Sequence, residues 1–412
     1  FGSRLNHISR MQPNGRLRNG SGCFSLVIST LAVLSLLGLY FNWPTASTGH
    51  SRREGLRSPV ELARSFPLPF PLKRFVNTSR AEAAAILQAQ DDRLLVIVGP
   101  CSIHDPKAAR DYAHRLQVLR EEMKDDLLIF MRTYLEKPRT AVGWRGLISD
   151  PTLTGSEDMA RGLALGRRVL LDILAAGLPT AVEFLDPLVA TFIEDVVAYG
   201  SIGARTVESP VHRQLAASLA MPIGFKNSRS GDIQSAVNAA VAASAPQKRL
   251  STDYRGRVQI EEARGNPDVH IILRGSENGP NYGETFVAES KERLAKAGFR
   301  GSQILIDCSH GNSGKKYEGE VVACQSVADQ VAGGNTAIGG VLIESFLVAG
   351  NQKLDPGVTK IEDLQYGCSV TDSCLDFNMT KDLLEQLQNS VVQRRQRVAK
   401  EWPEAKDGTE TS

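Results

Sequence analysis

Eight short apolar runs constrain this chain more than any other feature, because none alternates and each leads into residues that can do chemistry. Residues 94–98 lead into Gly99-Pro100-Cys101, and 127–131 lead to Arg132 and then Lys137. Residues 181–182 lead to Glu183, 201–204 to Arg205, 222–225 to Lys226 and 269–273 to Arg274. Residues 304–306 lead to Asp307 and His310, and 341–343 lead to Glu344. A half-exposed strand alternates apolar and polar residues, whereas a continuous run reads as a strand covered on both faces, as in a parallel sheet. Most segments between the runs have helical length and spacing. Eight such strands alternating with helices predict a (β/α)8 TIM barrel, an α/β fold whose active site lies where the strands end. The charged residues and Cys101 would then share one mouth.

A chain of 412 residues, 42% hydrophobic, can hold one large barrel with additions. The net charge of +2 leaves no broad basic footprint for nucleic acid, so the positive charge that matters is local. Six cysteines (Cys23, Cys101, Cys308, Cys324, Cys368 and Cys374) form no CxxC pair and no closely spaced framework. That pattern favours reduced thiols and a cytoplasmic protein over a disulfide scaffold.

Residues 1–57 do not fit the rest and are set apart from a barrel domain over 58–412. Residues 24–43 are almost uninterruptedly apolar and follow Arg16 and Arg18, a length that suffices for a membrane span. Met11 and the small residues 46–49 equally suit a signal peptide, and a first residue of Phe1 suits a gene-model artefact. An N-terminal helical extension follows, with helices over 58–66 and 78–90. Pro59 suits the start of the first, and Thr78 or Ser79 caps the second. A helix covers 105–123, another 230–245, and the last 380–400. Residues 250–261, around Arg255-Gly256-Arg257, predict a β-hairpin inserted before the sixth strand. The loops 137–154 and 348–372 are long, and long loops in compact domains are often functional.

Two sets of residues carry the chemistry. Arg132, Lys137, Arg139, Arg205, Lys226 and Arg274 would repel one another at a single mouth unless polyanions bind there. Arg forks match phosphate and carboxylate bidentately, while Lys acts as a point charge. One such Arg alone is more often a structural ion-pair member; six at strand ends indicate phosphorylated substrates. Cys101, His310, Glu344 and Asp372 offer a thiolate, an imidazole and two carboxylates, a donor set for one divalent transition metal. Their wide spacing leaves the alternative of buried structural groups open. Cys308, Cys324, Cys368 and Cys374 read as packing residues, and His104 and His212 as hydrogen-bonders in polar turns.

The stretches Gly99-Pro100-Cys101-Ser102-Ile103-His104-Asp105 and Glu136-Lys137-Pro138-Arg139-Thr140-Ala141-Val142-Gly143-Trp144 closely resemble 3-deoxy-D-arabino-heptulosonate-7-phosphate (DAHP) synthases. So do Ile202-Gly203-Ala204-Arg205-Thr206-Val207-Glu208-Ser209, Gly224-Phe225-Lys226-Asn227 and Ile272-Leu273-Arg274-Gly275. Asp307-Cys308-Ser309-His310-Gly311-Asn312-Ser313 and Gly350-Asn351-Gln352 complete a resemblance running in order over 58–397. It is to the class I type commonly inhibited by phenylalanine or tyrosine.

The resemblance implies a transferase that condenses phosphoenolpyruvate with erythrose 4-phosphate and water, giving DAHP and phosphate in the first step of the shikimate pathway. It implies one divalent metal ion (Mn2+, Fe2+ or similar) on Cys101, His310, Glu344 and Asp372. It implies a phosphoenolpyruvate site of Arg132, the Ala204 backbone, Arg205, Lys226 and Arg274, and a sugar-phosphate site of Lys137, Pro138, Arg139 and Thr140. Lys137 and His310 are the candidates for proton handling. A homo-oligomer, dimer or tetramer, and an aromatic amino acid effector are also implied.

Departures are informative. Where the family commonly reads Glu-Ser-His-Leu-Val-Glu-Gly-Asn-Gln, this chain has Phe346 for the His and Ala349 for the second Glu. Gly311 replaces an Ala. In the effector segments 186–192 and 218–221, Ala190, Thr191, Phe192 and Ala220 replace Pro, Gln, Tyr and Ser, so catalysis should be intact and inhibition weak. Two rival readings remain. A related sugar acid synthase disagrees with Lys137-Pro138-Arg139-Thr140, and a non-catalytic, membrane-tethered binding descendant disagrees with the retained ligands and cations.

Overall fold

The computed structural model describes residues 54–139, 142–299 and 301–401. The apolar stretch at 24–43 and Thr140 lie outside the described residues. Two helices lead in. In α1 (Pro59–Ser65), Ser58 and Glu61 form a reciprocal capping box that satisfies the first amides. Helix α2 (Phe70–Leu87) begins a full two turns before the expected start near residue 78. Pro71 is tolerated in its first turn, and Ser79 is buried inside the helix instead of capping it.

Eight strands then alternate with helices: β1 (Leu94–Gly99), α3 (Pro106–Glu122), β2 (Leu127–Arg132), α4 (Met159–Ala175), β3 (Thr180–Glu183), α5 (Pro187–Ile193) and β4 (Tyr199–Ile202). The series continues with α6 (Pro210–Ser218), β5 (Ile223–Lys226) and α7 (Gln234–Ser244). A hairpin, β6 (Gln247–Thr252) with β7 (Val258–Ala263), is inserted before β8 (Val269–Leu273). Then come α8 (Glu284–Lys296), β9 (Ile304–Asp307), α9 (Tyr317–Ala332) and β10 (Ile338–Glu344). The long loop after β10 contains two short strands, β11 (Val348–Asn351) and β12 (Cys368–Ser369), before the final helix α10 (Phe377–Glu401).

The barrel closes in the order β1-β10-β9-β8-β5-β4-β3-β2. Every pair in it is parallel, with Val98 opposite Ile343 and Met131, for example. β1, β2, β8, β9 and β10 are buried along their whole length, which is why their sequences do not alternate. The hairpin stands apart as its own two-stranded antiparallel sheet, Leu250 opposite Ile260. His212 corrects one expectation: it lies in α6, not in a polar turn. Its ring does form hydrogen bonds, 2.8 Å from Ser209 Oγ and 2.7 Å from the Leu185 carbonyl oxygen. Among the described residues no helix is long and apolar enough to cross a membrane, and five cysteines are free thiols.

Candidate active site

Closing the barrel puts the ends of all eight strands around one opening. The chain leaving β1 turns through Pro100 and places Cys101 under that opening, fully buried. Glu344 ends β10, and Asp372 follows β12. One ligand atom from each of Cys101, Glu344 and Asp372 lies within 4.8 Å of the others. The Cys101 thiol is 3.5 Å from Asp372 Oδ2, and Lys137 Nζ is 3.0 Å from the sulfur. His310 lies at the edge of this group. Its Nε2 is 3.8 Å from Glu344 Oε1, and its Nδ1 is 3.0 Å from Asp307 Oδ2. The structure therefore gathers three of the four expected ligands tightly and leaves the imidazole one short step away. Such a set of one sulfur, one imidazole and two carboxylates fits a divalent transition metal better than a hard cation, which takes oxygen alone.

Electrostatics hold this group together. Burial pushes the Cys101 thiol up to about 12, with Glu344 adding to it and Lys137 opposing. Burial acts to raise Asp372 as well, but Lys137 and His310 outweigh it and hold the carboxyl at about 2. Burial alone would lower Lys137; Cys101, Glu344 and Asp372 keep it charged instead. Arg132 lies in the same layer. Its Nη2 is 2.6 Å from Glu344 Oε1 and donates to the Cys101 carbonyl, and its guanidinium carbon is 3.6 Å from the Tyr134 ring centroid. Lys226, 1% exposed, sits 3.1 Å from Asp307 Oδ2 and 3.5 Å from Glu183 Oε2.

Above this layer opens a cavity of about 750 Å³. Its wall includes Lys137, Pro138, Arg139, Ala204, Arg205, Lys226 and Arg274, with His310 and Asp372. Cys101, Arg132 and Glu344 are buried, each at most 1% exposed. Arg274 is oriented through its amide, which donates to Asn227 Oδ1 at 2.8 Å. Arg139 is exposed and its Nε donates to the Trp144 carbonyl at 2.8 Å.

Several wall residues were not singled out as site residues from sequence: Glu183, Arg229, Glu277 and Lys315. Glu183 carried a signal, since it ends one of the eight runs. Arg229 and Glu277 form an ion pair between the loops after β5 and β8, which no sequence spacing indicates. Lys315 holds a left-handed backbone at φ +63, as does His310 at +59. Non-glycine residues in that region are uncommon and collect at functional loops. The departures also find reasons. A Cβ on Gly311 would meet Ser276 N at 2.4 Å, so an alanine has no room here. Phe346 is fully buried, its ring edge-on to His104 at 5.9 Å, and fills core volume.

A closed parallel barrel whose strand ends gather buried acids, a thiol and six or more cations is the active-site end of a TIM-barrel enzyme for polyanionic substrates. Comparison with known proteins narrows that class. Residues 75–385 match the model of the DAHP synthetase I family. The chain is 49% identical over 340 residues to the Phe-sensitive phospho-2-dehydro-3-deoxyheptonate aldolase of Escherichia coli K12, covering 82% of this chain and 95% of that protein. It is 46% identical over 344 residues to the Trp-sensitive enzyme of Enterobacter agglomerans, covering 84% and 97%. A solved phospho-2-dehydro-3-deoxyheptonate aldolase from Francisella tularensis SCHU S4 superposes with a TM-score of 0.81 at 43% identity, over 84% of this chain and 99% of that one. The chain belongs to the DAHP synthetase I family.

Proposed function

We propose that this chain is a 3-deoxy-7-phosphoheptulonate synthase, condensing phosphoenolpyruvate with erythrose 4-phosphate and water to DAHP and phosphate. The observation that carries the reading is the juxtaposition of a cation-walled cavity with the thiol–carboxylate cluster beside it. Arg205, Arg274 and Lys226 take the phosphate and carboxylate of phosphoenolpyruvate, with the Ala204 backbone closing the wall. Arg132 keeps one buried guanidinium nitrogen, Nη1, without a hydrogen-bond partner. Buried unsatisfied donors are rare, and a bound anion would satisfy this one. Arg139, with Pro138, Thr140 and Lys137, takes the aldose phosphate.

Cys101, His310, Glu344 and Asp372 would hold one divalent metal, Mn2+, Fe2+ or a similar ion. When bound, it supplies Lewis acidity toward the aldehyde oxygen. In the reaction, C3 of the enol phosphate forms a bond to the aldehyde carbon, water adds at C2, and the C–O bond to phosphate breaks. The fixed cations orient phosphoenolpyruvate and offset its negative charge before reaction, which is the larger part of what a protein supplies to such a step. Lys137 and His310 both line the cavity, and their Nζ and ring would hold or pass the proton of the new hydroxyl.

Relatives at nearly equal identity are named Phe-sensitive and Trp-sensitive, so overall similarity does not choose an effector. With Ala190 and Ala220 in the effector segments, we expect weak inhibition by phenylalanine or tyrosine in a dimer or tetramer. Free thiols suit the reducing cytoplasm. The test is consumption of phosphoenolpyruvate with erythrose 4-phosphate against arabinose 5-phosphate. Turnover with the four-carbon sugar alone is expected; turnover with the five-carbon sugar alone would assign the chain to the sugar acid synthases.

A further inference from the structure

Glu320 is a buried acid that the reaction does not use. It is 1% exposed, in the first turn of α9, and no salt bridge reaches it among the described residues. A carboxyl group in such a place is costly unless its oxygens have work to do. Glu320 Oε2 accepts a hydrogen bond from the backbone N–H of Glu344 at 2.9 Å.

The reason lies in the strand lengths. β10 runs beside β9 until Leu342 faces Asp307, and the Cys308 amide donates to the Leu342 carbonyl. The chain then leaves β9 for the loop that bears His310, while β10 continues to Glu344. The Glu344 N–H points to the side that β9 has vacated, and a buried orphan amide there would be destabilising. The Glu320 carboxyl continues the ladder in place of the missing strand.

Gly319 makes this reach possible. A Cβ at Gly319 would lie 2.2 Å from the Ser313 carbonyl oxygen, so the start of α9 packs directly against the loop bearing His310. One helical turn therefore touches both the loop of His310 and the strand end of Glu344, whose side chains approach to 3.8 Å.

We propose that Glu320 is a positioning residue that fixes Glu344 relative to His310, and so tunes the affinity of the metal centre. This rests on the reading that these residues bind a divalent metal. The test is titration with Co2+, read from the thiolate-to-cobalt absorbance band, on the wild type and on Glu320→Gln, Glu320→Leu and Glu320→Asp, with thermal unfolding of each metal-free protein. The amide oxygen of Gln still accepts from Glu344, so Glu320→Gln should bind like the wild type. Leu removes the acceptor and Asp withdraws it, so both should bind at least about tenfold more weakly, as is usual when a ligand loses its outer partner. Asp keeps a buried carboxyl and decides the matter if the Leu variant does not fold. Wild-type affinity in folded Glu320→Leu or in Glu320→Asp would overturn the proposal, and so would weak binding by Glu320→Gln. A wild type that shows no cobalt band would instead overturn the metal reading beneath it.

Discussion

The floor and the rim of the mouth carry the same kind of charge in opposite ways. On the floor, Arg132, Lys137 and Lys226 are each at most 8% exposed and each is tied to built-in partners: Glu344, Cys101, and Asp307 with Glu183. On the rim, Arg139, Arg205, Arg229 and Lys315 are exposed. Floor charges are set in place before any substrate arrives, so they contribute pre-organised electrostatics. Rim charges face solvent and are screened by salt, and they attract and bind an anion from the open side. The same substitution should therefore have very different consequences in the two places.

The sharpest contrast is Lys226→Ala. It strips the buried Asp307 and Glu183 of their cation, and breaking a buried pair from one side typically costs about 3–5 kcal/mol. Denaturant unfolding should show that loss, and kcat/KM for phosphoenolpyruvate should fall by more than tenfold. A variant as stable as the wild type would mean that floor charges are no more constrained than rim charges.

Glu136 tests the seam between the two layers. It is buried and accepts hydrogen bonds from the amides of Leu185 and Asp186, at 3.4 and 3.3 Å. Burial, with Asp186 and Glu183 adding to it, pushes its carboxyl up to about 8 against those bonds. A folded-state value above the unfolded one gives stability that is complete below about pH 4.5 and is lost as pH rises toward 8. Glu136→Gln should remove that slope, gaining on the order of 4 kcal/mol relative to the wild type near pH 8 and nothing near pH 4. Unfolding midpoints measured across that range decide it. An unchanged slope would show that the carboxyl is solvated.

Arg139→Ala belongs to the rim. It should raise KM for erythrose 4-phosphate about tenfold, the usual worth of a charged hydrogen bond, with stability and KM for phosphoenolpyruvate nearly unchanged. Equal losses for both substrates would erase the division between the two sites. The smallest effect is expected from Arg229→Ala at the exposed pair with Glu277, worth at most about 1 kcal/mol and vanishing in high salt. A larger, salt-insensitive loss would move Arg229 from the rim to the floor.

This division explains what could be read from the sequence. The strands were legible because burial on both faces leaves continuous apolar runs, and the residue ending each run marks the mouth. Depth was not legible. Arg132 and Arg139 look alike in sequence, yet one is sealed beside Glu344 and the other is open to solvent, because loop packing decides which. The start of α2 was misplaced because Thr78 and Ser79 look like caps, while burial of Val76 and Ser79 draws the helix further back. Glu320 gave no signal at all. Its role depends on β10 outrunning β9, a fact of three-dimensional register.

If this mouth performs a metal-dependent condensation, the release of phosphate must depend on the metal. Phosphoenolpyruvate and erythrose 4-phosphate are supplied to protein treated exhaustively with chelator, and the assay is repeated after adding back Mn2+. Phosphate release is expected only with both substrates present and only after metal is restored, and Cys101→Ala should need far more metal for the same rate. Full phosphate release by the chelated protein would contradict it.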